Sequence, residues 1–547
     1  MTTAIHDLVP PALRRAWAAD GSYPDLDLYS LFRAHRIADP HRIAVVDARG
    51  AVSYARLDHK ARCLAAALRA AGIRAGDVVG VQLPNDHEAV AADLALAALG
   101  AIALPFPVGR GSREALSLLG RSGARAVIAV GEYRDTEPAR EIARLAPGLP
   151  ALRVVVAAGG ASAAGGTAAD GCLSLEDLLR TDASGFTPER PAPDSAARIL
   201  VSSGTEAEPK MVAYSHNALA GGRGNFLAAL LPSGTRPRCL FLVPLASAFG
   251  SSGTAVTLAR HGGTLDLLER FTPAEAVEAI RRHRPTHVLG VPTMVRMMLD
   301  LVDEPLPGLT ALVLGGSPLD EATRARAERT FGCTVVNLYG SADGVNCHSG
   351  LDPKPDRAAG PGTAIGRPDA TVAEIRITTP NGELDTTPGE IGEIVARGPM
   401  TPLCYVGAPE LNRRYRTTDG WVRTGDLGTF DTDGVLRLVG RLKDIVIRGG
   451  ANISPAEVEG ELSAHPDVRD VLCTGVPDPL MGERLAACLV PRAGRTPTLE
   501  ELSAHLDDRG LDRRKHPERL VLLDALPLTP AGKPDRPALR RLAVEAG

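Results

Sequence analysis

Short apolar runs that end in Pro or Gly recur along this chain and restrict its fold most. "VVGVQL" and "ARAVIAV" lie in the first 150 residues, and "LFLVPL", "THVLGVP" and "ALVLGG" lie between Pro237 and Gly316. Strands buried on both faces of a parallel sheet give such continuous apolar runs. Helix-period stretches such as "YARLDHKARCLAAALRAAG" separate them. The alternation predicts an α/β fold around mainly parallel sheets, with ligands in the loops at the strand ends.

The pattern changes in the last third of the chain. From about Ala373 the segments "AEIRITT", "GEIVARG" and "GVLRLVG" alternate apolar and polar residues, and a charged α+β segment follows Arg441. A chain of 547 residues is too long for one typical domain. We therefore expect a large N-terminal domain over 1–440, with layered α/β subdomains and a β-rich subdomain, and a small mobile α+β lid over 441–547. The Gly/Ala-rich segment 157–171 is interpreted as a mobile surface loop.

Composition points to small-molecule partners. The net charge of -4 and the pI near 6.4 provide no basic field for nucleic acid or anionic lipid. The eight cysteines form no CxxC pair and no signal peptide is recognised, so we expect a reducing cytoplasm. The Ala-rich run 89–104 contains Asp93 and is divided by Gly100, which favours a buried helix and strand over a membrane span. Both a monomer and a homodimer are compatible with the sequence.

Six short stretches together carry a family resemblance. They are "SSGTEAEPK" (202–210), "LGGSPL" (314–319), "NLYGSADG" (337–344), "RTGDLG" (423–428), "GRLKDIVIRGGANISPAEVE" (440–459) and "LPLTPAGKPDRPALR" (526–540). In this order the chain resembles the adenylate-forming superfamily, which includes acyl- and aryl-CoA synthetases. The resemblance implies that a carboxylate attacks the α-phosphorus of ATP, that pyrophosphate leaves, and that a nucleophile then displaces AMP. It implies ATP and Mg²⁺ as cofactors.

The resemblance assigns nucleotide-binding roles to several residues. Asp426 matches the carboxylate that accepts both ribose hydroxyls, and Arg441 matches an Arg that reaches the ribose or a phosphate. Tyr339 is expected near the adenine. The remaining nucleotide contacts implied are Ser202, Ser203, Gly204, Thr205, Lys210, Gly316, Ser317, Gly340 and Ser341.

Two lysines match family positions on the C-terminal segment. Lys533, in "TPAGKP", matches the catalytic Lys that approaches the α-phosphate and the carboxylate oxygen, where a cation stabilises developing charge. Lys443 falls at the family hinge, where a backbone rotation would swing the lid between two conformations. Gly449 and Gly450 would then meet the channel of the second substrate.

The phosphate loop departs from the family pattern TSGTTGxPKG. Glu206, Ala207 and Met211 replace Thr, Gly and Gly, and Glu208 adds a second carboxylate. Such carboxylates would repel phosphate unless they point outward or hold Mg²⁺ or Lys210. We interpret them as pointing outward.

A second departure lies at the expected metal carboxylate. Asp343 replaces the usual Glu that binds Mg²⁺, and Ala342 replaces a hydroxyl residue. Asp keeps a hard oxygen ligand but is one methylene shorter, so the metal must move or a water must bridge.

Small residues dominate the segments that build the acid pocket in this family. They leave a flat volume, which favours a benzoate- or cinnamate-like acid over a long acyl chain or an α-amino acid. The residues assigned to the pocket are Ala246, Ser247, Phe249, Gly250, Gly315 and Ala342.

The second substrate stays open at this point. CoA or a carrier-protein thiol is expected for a ligase. The edited loop and Ala342 are also similar to ATP-dependent diazotases of secondary metabolism, in which nitrite would attack ATP and an aryl amine would displace AMP. A non-catalytic homologue is the third hypothesis. The retained Lys210, Asp426, Arg441 and Lys533 argue against it.

Overall fold

The computed structural model describes most of the chain. The described residues are 5–108, 110–159, 171–202, 208–232, 234–306, 308–317, 319–351, 362–378, 382, 384–385, 387–449, 451–528 and 534–546.

The strands are labelled in chain order. They are β1 Ile43–Asp47, β2 Gly50–Ser53, β3 Val78–Gln82, β4 Ile102–Pro105, β5 Ala126–Val130, β6 Val154–Ala158, β7 Leu173–Ser174, β8 Ala196–Val201, β9 Met211–Ser215, β10 Arg238–Phe241, β11 Thr264–Leu267, β12 His287–Gly290, β13 Ala311–Gly315, β14 Thr334–Gly340, β15 Asn346–His348, β16 Thr363–Gly366, β17 Glu374–Thr378, β18 Leu384–Asp385, β19 Gly392–Arg397, β20 Cys404–Tyr405, β21 Val422–Phe430, β22 Leu436–Arg441, β23 Val446–Arg448, β24 Ala451–Ile453, β25 Val468–Asp478, β26 Gly482–Pro491 and β27 Arg519–Leu522.

The α-helices are labelled in the same way. They are α1 Pro11–Ala19, α2 Leu28–Ala38, α3 Tyr54–Ala70, α4 His87–Leu99, α5 Ser112–Ser122, α6 Pro138–Leu145, α7 Leu175–Leu178, α8 Arg223–Ala228, α9 Pro273–His283, α10 Pro292–Met298, α11 Glu321–Phe331, α12 Pro409–Tyr415, α13 Pro455–Leu462, α14 Leu499–Asp508 and α15 Arg536–Glu545. Two π-helical segments, Ala218–Gly222 and Gly253–Arg260, and the 3₁₀ turn Leu442–Asp444 matter for the site below.

Two mainly parallel sheets form the larger part of the fold. One has the strand order β15-β14-β13-β12-β10-β11-β1-β2, and the other β20-β9-β8-β4-β3-β5-β6-β7. The apolar runs singled out in the sequence supply β3, β5, β10, β12 and β13, all paired in parallel. The predicted α/β class is confirmed.

Helix α4 joins the two sheets. It contacts β1 of one sheet and β3 and β4 of the other, and all its residues except Asp93 are buried. It ends at Gly100, which adopts a left-handed conformation with φ +68°, and β4 follows directly. The expectation that the 89–104 run is a core helix and strand is confirmed. Across the described ranges, no helix is long and apolar enough to span a membrane.

The remaining strands form two further sheets. The order β16-β22-β21-β19-β17-β18 is antiparallel throughout and matches the alternating segments after Ala373. The C-terminal sheet β24-β23-β26-β25, with β27 beside β26, packs with α13, α14 and α15. The smaller α+β C-terminal part is confirmed, whereas the boundary at 440/441 and the mobility of the lid stay predictions. Of the Gly/Ala-rich segment, Ala157 and Ala158 belong to β6, and 160–170 lie outside the described residues.

Candidate active site

A buried carboxylate with two partners lies where β14 meets the antiparallel sheet. The Tyr339 hydroxyl, near the end of β14, donates to Asp426 Oδ2 at 2.8 Å. Arg441 Nε lies 3.0 Å from Asp426 Oδ1, because Asp426 in β21 and Arg441 in β22 are direct cross-strand partners. Asp426 is only 4% exposed, whereas the Arg441 side chain is half exposed. Each carboxylate oxygen has two lone pairs, so both can still accept a ligand hydroxyl.

Burial tunes both acidic groups of this cluster. It raises the pKa of Asp426 above its ordinary value, and the Arg441 guanidinium acts in the opposite direction. Burial, and then the nearby Asp426 carboxylate, raises the pKa of Tyr339 far above that of a free phenol. Tyr339 therefore stays a hydrogen-bond donor at working pH. Tyr339, expected near the adenine, thus contacts Asp426, the carboxylate expected to bind the ribose, through its hydroxyl.

The expected metal carboxylate has a tyrosine partner as well. The Tyr405 hydroxyl donates to Asp343 Oδ1 at 2.7 Å, and the Asp343 backbone N–H donates to Ser341 Oγ at 3.0 Å. Tyr405 comes from β20, which pairs with β9 in the other large sheet. Burial, followed by the Asp343 charge, raises the pKa of Tyr405 strongly. The Tyr405 hydroxyl therefore fixes the orientation of Asp343 as a permanent donor.

The two ends of the phosphate loop, Ser202 and Lys210, are hydrogen-bonded to each other. Ser202 N–H donates to the Lys210 carbonyl at 2.9 Å, and Lys210 N–H donates to Ser202 Oγ at 3.0 Å. These bonds extend the β8–β9 ladder, whose last register pair is Val201 with Met211. Lys210 Nζ lies 4.0 Å from the ring centre of Tyr415 and 5.6 Å from that of Tyr405. The loop lysine and Asp343 thus share Tyr405 as a neighbour.

Glu208 points away from these groups. Its carboxylate lies 3.3 Å from Arg121 Nε and accepts from Ser117 Oγ at 3.4 Å, both on α5. The side chain is 59% exposed and lines an open surface groove of about 780 Å³. The outward interpretation agrees with this placement of Glu208. Glu206 lies outside the described residues.

Buried polar side chains hold the loop that carries Ala246, Ser247 and Phe249. Asn85 donates to the Val243 carbonyl at 3.1 Å and accepts from Leu245 N–H at 2.8 Å. Arg198 donates to the Leu245 carbonyl at 2.9 Å and pairs with Asp93 at 2.6 Å. The charge that interrupts the apolar run of α4 therefore positions the pocket loop. Ala246, Ser247 and Phe249 themselves are partly exposed.

At two of the assigned pocket positions, Gly250 and Gly315, a neighbouring backbone carbonyl leaves no room for a side chain. A Cβ on Gly250 would lie 2.0 Å from the Pro244 carbonyl oxygen, and one on Gly315 would lie 2.6 Å from the Leu338 carbonyl oxygen. These glycines allow close backbone packing and add no free volume, which corrects the volume argument at both positions. Gly316 has φ +85°, a conformation that side chains disfavour, and Ser317 follows it, partly exposed. Gly340 pairs with Asn346 across β14 and β15.

The hinge position lies directly beyond the Asp426 cluster. Lys443 is exposed in the 3₁₀ turn Leu442–Asp444, between β22 of one sheet and β23 of the C-terminal sheet. Asp444 in the same turn lies 3.6 Å from Arg536, which also binds Glu459. A backbone rotation at 443 would therefore act between the two sheets. Gly449 has φ +54° and contacts Met481.

Several assigned residues lie outside the described part of the chain. They are Ser203, Gly204, Thr205, Glu206, Ala207, Gly450 and Lys533. Within the described ranges, no group of three or more His, Cys, Asp or Glu side chains is arranged to hold a metal alone. A Mg²⁺ ion bound through one carboxylate and substrate phosphates needs no such group, so Asp343 fits that role.

Sequence reasoning missed the tyrosines that support the site. Tyr214 and Tyr405 both reach it through buried hydroxyls, Tyr214 by donating to the Ala342 carbonyl at 2.8 Å. Arg416, 8% exposed, donates to the Pro402 carbonyl just before β20. The one sequence signal for these tyrosines is that tyrosine is rare in this chain, which has only eight. No short motif marks these positions.

Comparisons with known proteins show the family of this chain. A family model described as "AMP-binding enzyme" matches residues 32–406, and one described as "AMP-binding enzyme C-terminal domain" matches 457–533. Triostin synthetase I of Streptomyces triostinicus is 35% identical over 510 residues, 92% of each chain. The salicyl-AMP ligase / salicyl-S-ArCP synthetase of Mycobacterium tuberculosis is 33% identical over 528 residues, 93% of this chain and 89% of that one. ATP-bound MatB of Rhodopseudomonas palustris superposes with a TM-score of 0.80 at 27% identity, covering 94% of this chain and 99% of that one.

Proposed function

The chain belongs to the AMP-binding enzymes, within the adenylate-forming superfamily, and from that premise we propose that it activates an aromatic acid with ATP. The acid carboxylate oxygen attacks the α-phosphorus, the bond to pyrophosphate breaks, and an acyl-adenylate forms. A thiol sulfur then attacks the acyl carbon, the thiol proton is released, and AMP leaves with the bonding electrons. The observation that carries the proposal is the Tyr339, Asp426 and Arg441 cluster.

The cluster suits a nucleoside. A buried carboxylate held by a tyrosine donor and an arginine is prevented from rotating, so its free lone pairs keep fixed directions toward two vicinal hydroxyls. The likeness to ATP-bound MatB supports ATP as the nucleotide.

Asp343 is the candidate metal contact. Bound Mg²⁺ would supply charge neutralisation at the phosphates. The Tyr405 hydroxyl occupies one lone pair of Asp343 Oδ1 and leaves the second oxygen, Oδ2, as the candidate metal ligand. Lys210, beside Tyr405 and Tyr415, supplies a cation at the exit of that loop. Lys533 is proposed to stabilise charge on the α-phosphate in the closed lid.

The aromatic acid is supported by the partly exposed loop of Ala246 and Ser247 and by the similarity to the salicyl-AMP ligase. The thiol acceptor is either CoA or a carrier-protein thiol, and the name of that relative favours a carrier protein. The outward position of Glu208 removes one of the two carboxylates offered as a proton acceptor for nitrite-dependent chemistry.

Pyrophosphate release with one component omitted at a time tests the proposal. Release should require ATP, Mg²⁺ and a benzoate- or cinnamate-like carboxylate, and should not respond to nitrite. Acyl transfer should then require CoA or a carrier-protein thiol. If the carboxylate can be replaced by its amide while nitrite cannot be omitted, the enzyme is a diazotase. Absence of release with every acid would favour a non-catalytic homologue.

A further inference from the structure

Three polar side chains behind the pocket loop keep buried hydrogen-bonding atoms without partners in the described part of the chain. The atoms are Nε and Nη2 of Arg223, Oδ1 of Asn346 and Nε2 of His348. Arg223 is 5% exposed and Asn346 6%. Buried polar groups are nearly always paired, so several unpaired ones in one region require an explanation.

The fold places these side chains against each other. Arg223 and Phe226 are three residues apart on α8, hence on one face of that helix. Asn346 and His348 are two apart on β15, hence on one face of that strand. The Phe226 and His348 rings pack edge to face with centres 5.4 Å apart, so the helix face that carries Arg223 meets the strand face that carries Asn346.

The same region borders the acid pocket. Arg223 Nη1 donates to the Ala248 carbonyl at 2.9 Å, between Ser247 and Phe249. The Arg223 guanidinium lies 5.1 Å from the ring centre of Tyr214, whose hydroxyl donates to the Ala342 carbonyl. Asn346 lies in the same "SADGVN" segment as Ala342. Arg223 and Asn346 therefore adjoin two segments that are assigned to the pocket.

The charges of the group select its ligand. Arg223 forms no ion pair with any carboxylate among the described residues, and the nearby Asp343 is engaged by Tyr405. His348 Nδ1 accepts from Gly350 N–H at 3.2 Å, which leaves the ring proton on Nε2 as a second donor. Burial lowers the pKa of His348 and favours its neutral form. The nearby Asp369 carboxylate acts on that pKa in the opposite direction. The region thus offers a guanidinium that has no ion pair among the described residues and a neighbouring neutral donor, which suit an anionic oxygen.

We infer that Arg223 and His348, flanked by Asn346, form a subsite for a second carboxylate carried by the ring of the aromatic acid. This inference rests on the proposed function of the pocket and specifies its substrate class as an aromatic dicarboxylic acid. Arg223 gives the charge-assisted hydrogen bonds, and His348 Nε2–H gives a neutral one.

The test uses calorimetric binding of benzoate, of meta- and para-carboxybenzoate, and of their ring monomethyl esters to the full-length protein without ATP. Wild type should bind one diacid at least tenfold more tightly than its ester. Arg223→Met should remove roughly 10- to 100-fold of diacid affinity, the range of a hydrogen bond to a charged group. Benzoate affinity should fall much less, because the lost contact with the Ala248 carbonyl affects every acid alike, whereas the lost charge affects only the diacid. His348→Phe keeps the ring contact with Phe226 and should lower the affinity for the diacid alone, by several-fold.

Controls separate a ligand role from a structural one. Arg260→Met removes another arginine with a buried, unpaired Nε, at the end of the π-helical segment Gly253–Arg260, and should leave the diacid-to-ester ratio unchanged. Arg223→Lys retains the cation and tests the ratio if the Met variant does not fold. Equal binding of diacid, ester and benzoate by wild type, or a uniform loss for all acids in Arg223→Met and Arg223→Lys, would overturn the inference and leave Arg223 as a support for the pocket loop.

Binding and turnover keep the two proposals distinguishable. A diacid preference without pyrophosphate release would refute the proposed function and retain the subsite. Pyrophosphate release with aromatic acids, without tighter binding of any diacid, would support the proposed function and refute the subsite.

Discussion

Replacing Tyr405 with Phe isolates one hydroxyl that holds the candidate metal carboxylate. The hydroxyl donates to Asp343 Oδ1 at 2.7 Å, and Tyr405, 1% exposed, belongs to the same buried apolar cluster as Tyr214 and Ala408. Phe keeps that packing and the ring face toward Lys210, so the change removes the hydrogen bond and little else. A hydrogen bond to a charged group contributes roughly 1.5–3 kcal/mol.

The loss is expected mainly in catalysis. If Asp343 must be oriented toward Mg²⁺ and the phosphates, kcat/KM for ATP should fall by roughly 10- to 100-fold, at about 1.4 kcal/mol per tenfold. The Mg²⁺ concentration at half-maximal rate should rise, and the KM of the acid should change little. Steady-state pyrophosphate release across a Mg²⁺ titration measures all three.

Tyr415→Phe is the matched control. Tyr415 also presents its ring to Lys210, at 4.0 Å, and none of the contacts found for its hydroxyl involves Asp343. Its kinetics should stay within about twofold of wild type, because Phe retains the ring that packs against the core cluster and faces Lys210. An unchanged Mg²⁺ dependence in Tyr405→Phe, or an equal loss in Tyr415→Phe, would refute the assignment of Asp343 as the residue that Tyr405 orients.

Three further predictions test other parts of the site. Arg441 lowers the pKa of Asp426 while burial raises it, so Arg441→Gln should raise that pKa further. In a plot of 1/KM for ATP against pH, the acid limb should then move to higher pH. An unmoved limb would show that ATP binding does not depend on Asp426. Lys533→Ala should slow adenylate formation about a thousandfold, as for loss of a transition-state charge contact of roughly 4 kcal/mol, with ATP affinity retained; normal single-turnover AMP release would contradict this role. Gly250→Ala places a Cβ 2.0 Å from the Pro244 carbonyl and should destabilise the fold by about 1–3 kcal/mol in denaturant titration, whereas Gly185→Ala, with nothing within 4 Å, should not; equal effects would show that the contact at Gly250 is relieved freely.

The fold class and the proximity of Asp426 and Arg441 followed from the sequence. Continuous apolar runs predicted β10, β12 and β13, because burial on both faces leaves little choice of residue. The TGD and GRLKD segments placed Asp426 and Arg441 near each other, and the structure makes them cross-strand partners. Each of these features is local in the sequence.

The supporting contacts were not accessible in the same way. Tyr405 and Asp343 are 62 residues apart, and Tyr214 and Ala342 are 128 apart. Such pairs depend on how the two large sheets are positioned, which no periodicity encodes. The glycines at 250 and 315 misled for a related reason: a small residue signals either open volume or a close backbone neighbour, and only the packing distinguishes the two.

The segment 339–343 couples the two halves of the site. Tyr339 donates to Asp426, the proposed ribose contact. Ala342, assigned to the proposed acid pocket, accepts from the Tyr214 hydroxyl through its carbonyl, and Asp343 accepts from Tyr405. Because these contacts come from different sheets and lie within five consecutive residues, a shift that widens the pocket at Ala342 also moves the carboxylate at Asp343. Substitutions at Ala342 chosen to change the acid should therefore also change the KM for ATP, whereas those at Ala246, on a separately supported loop, should alter acid preference alone.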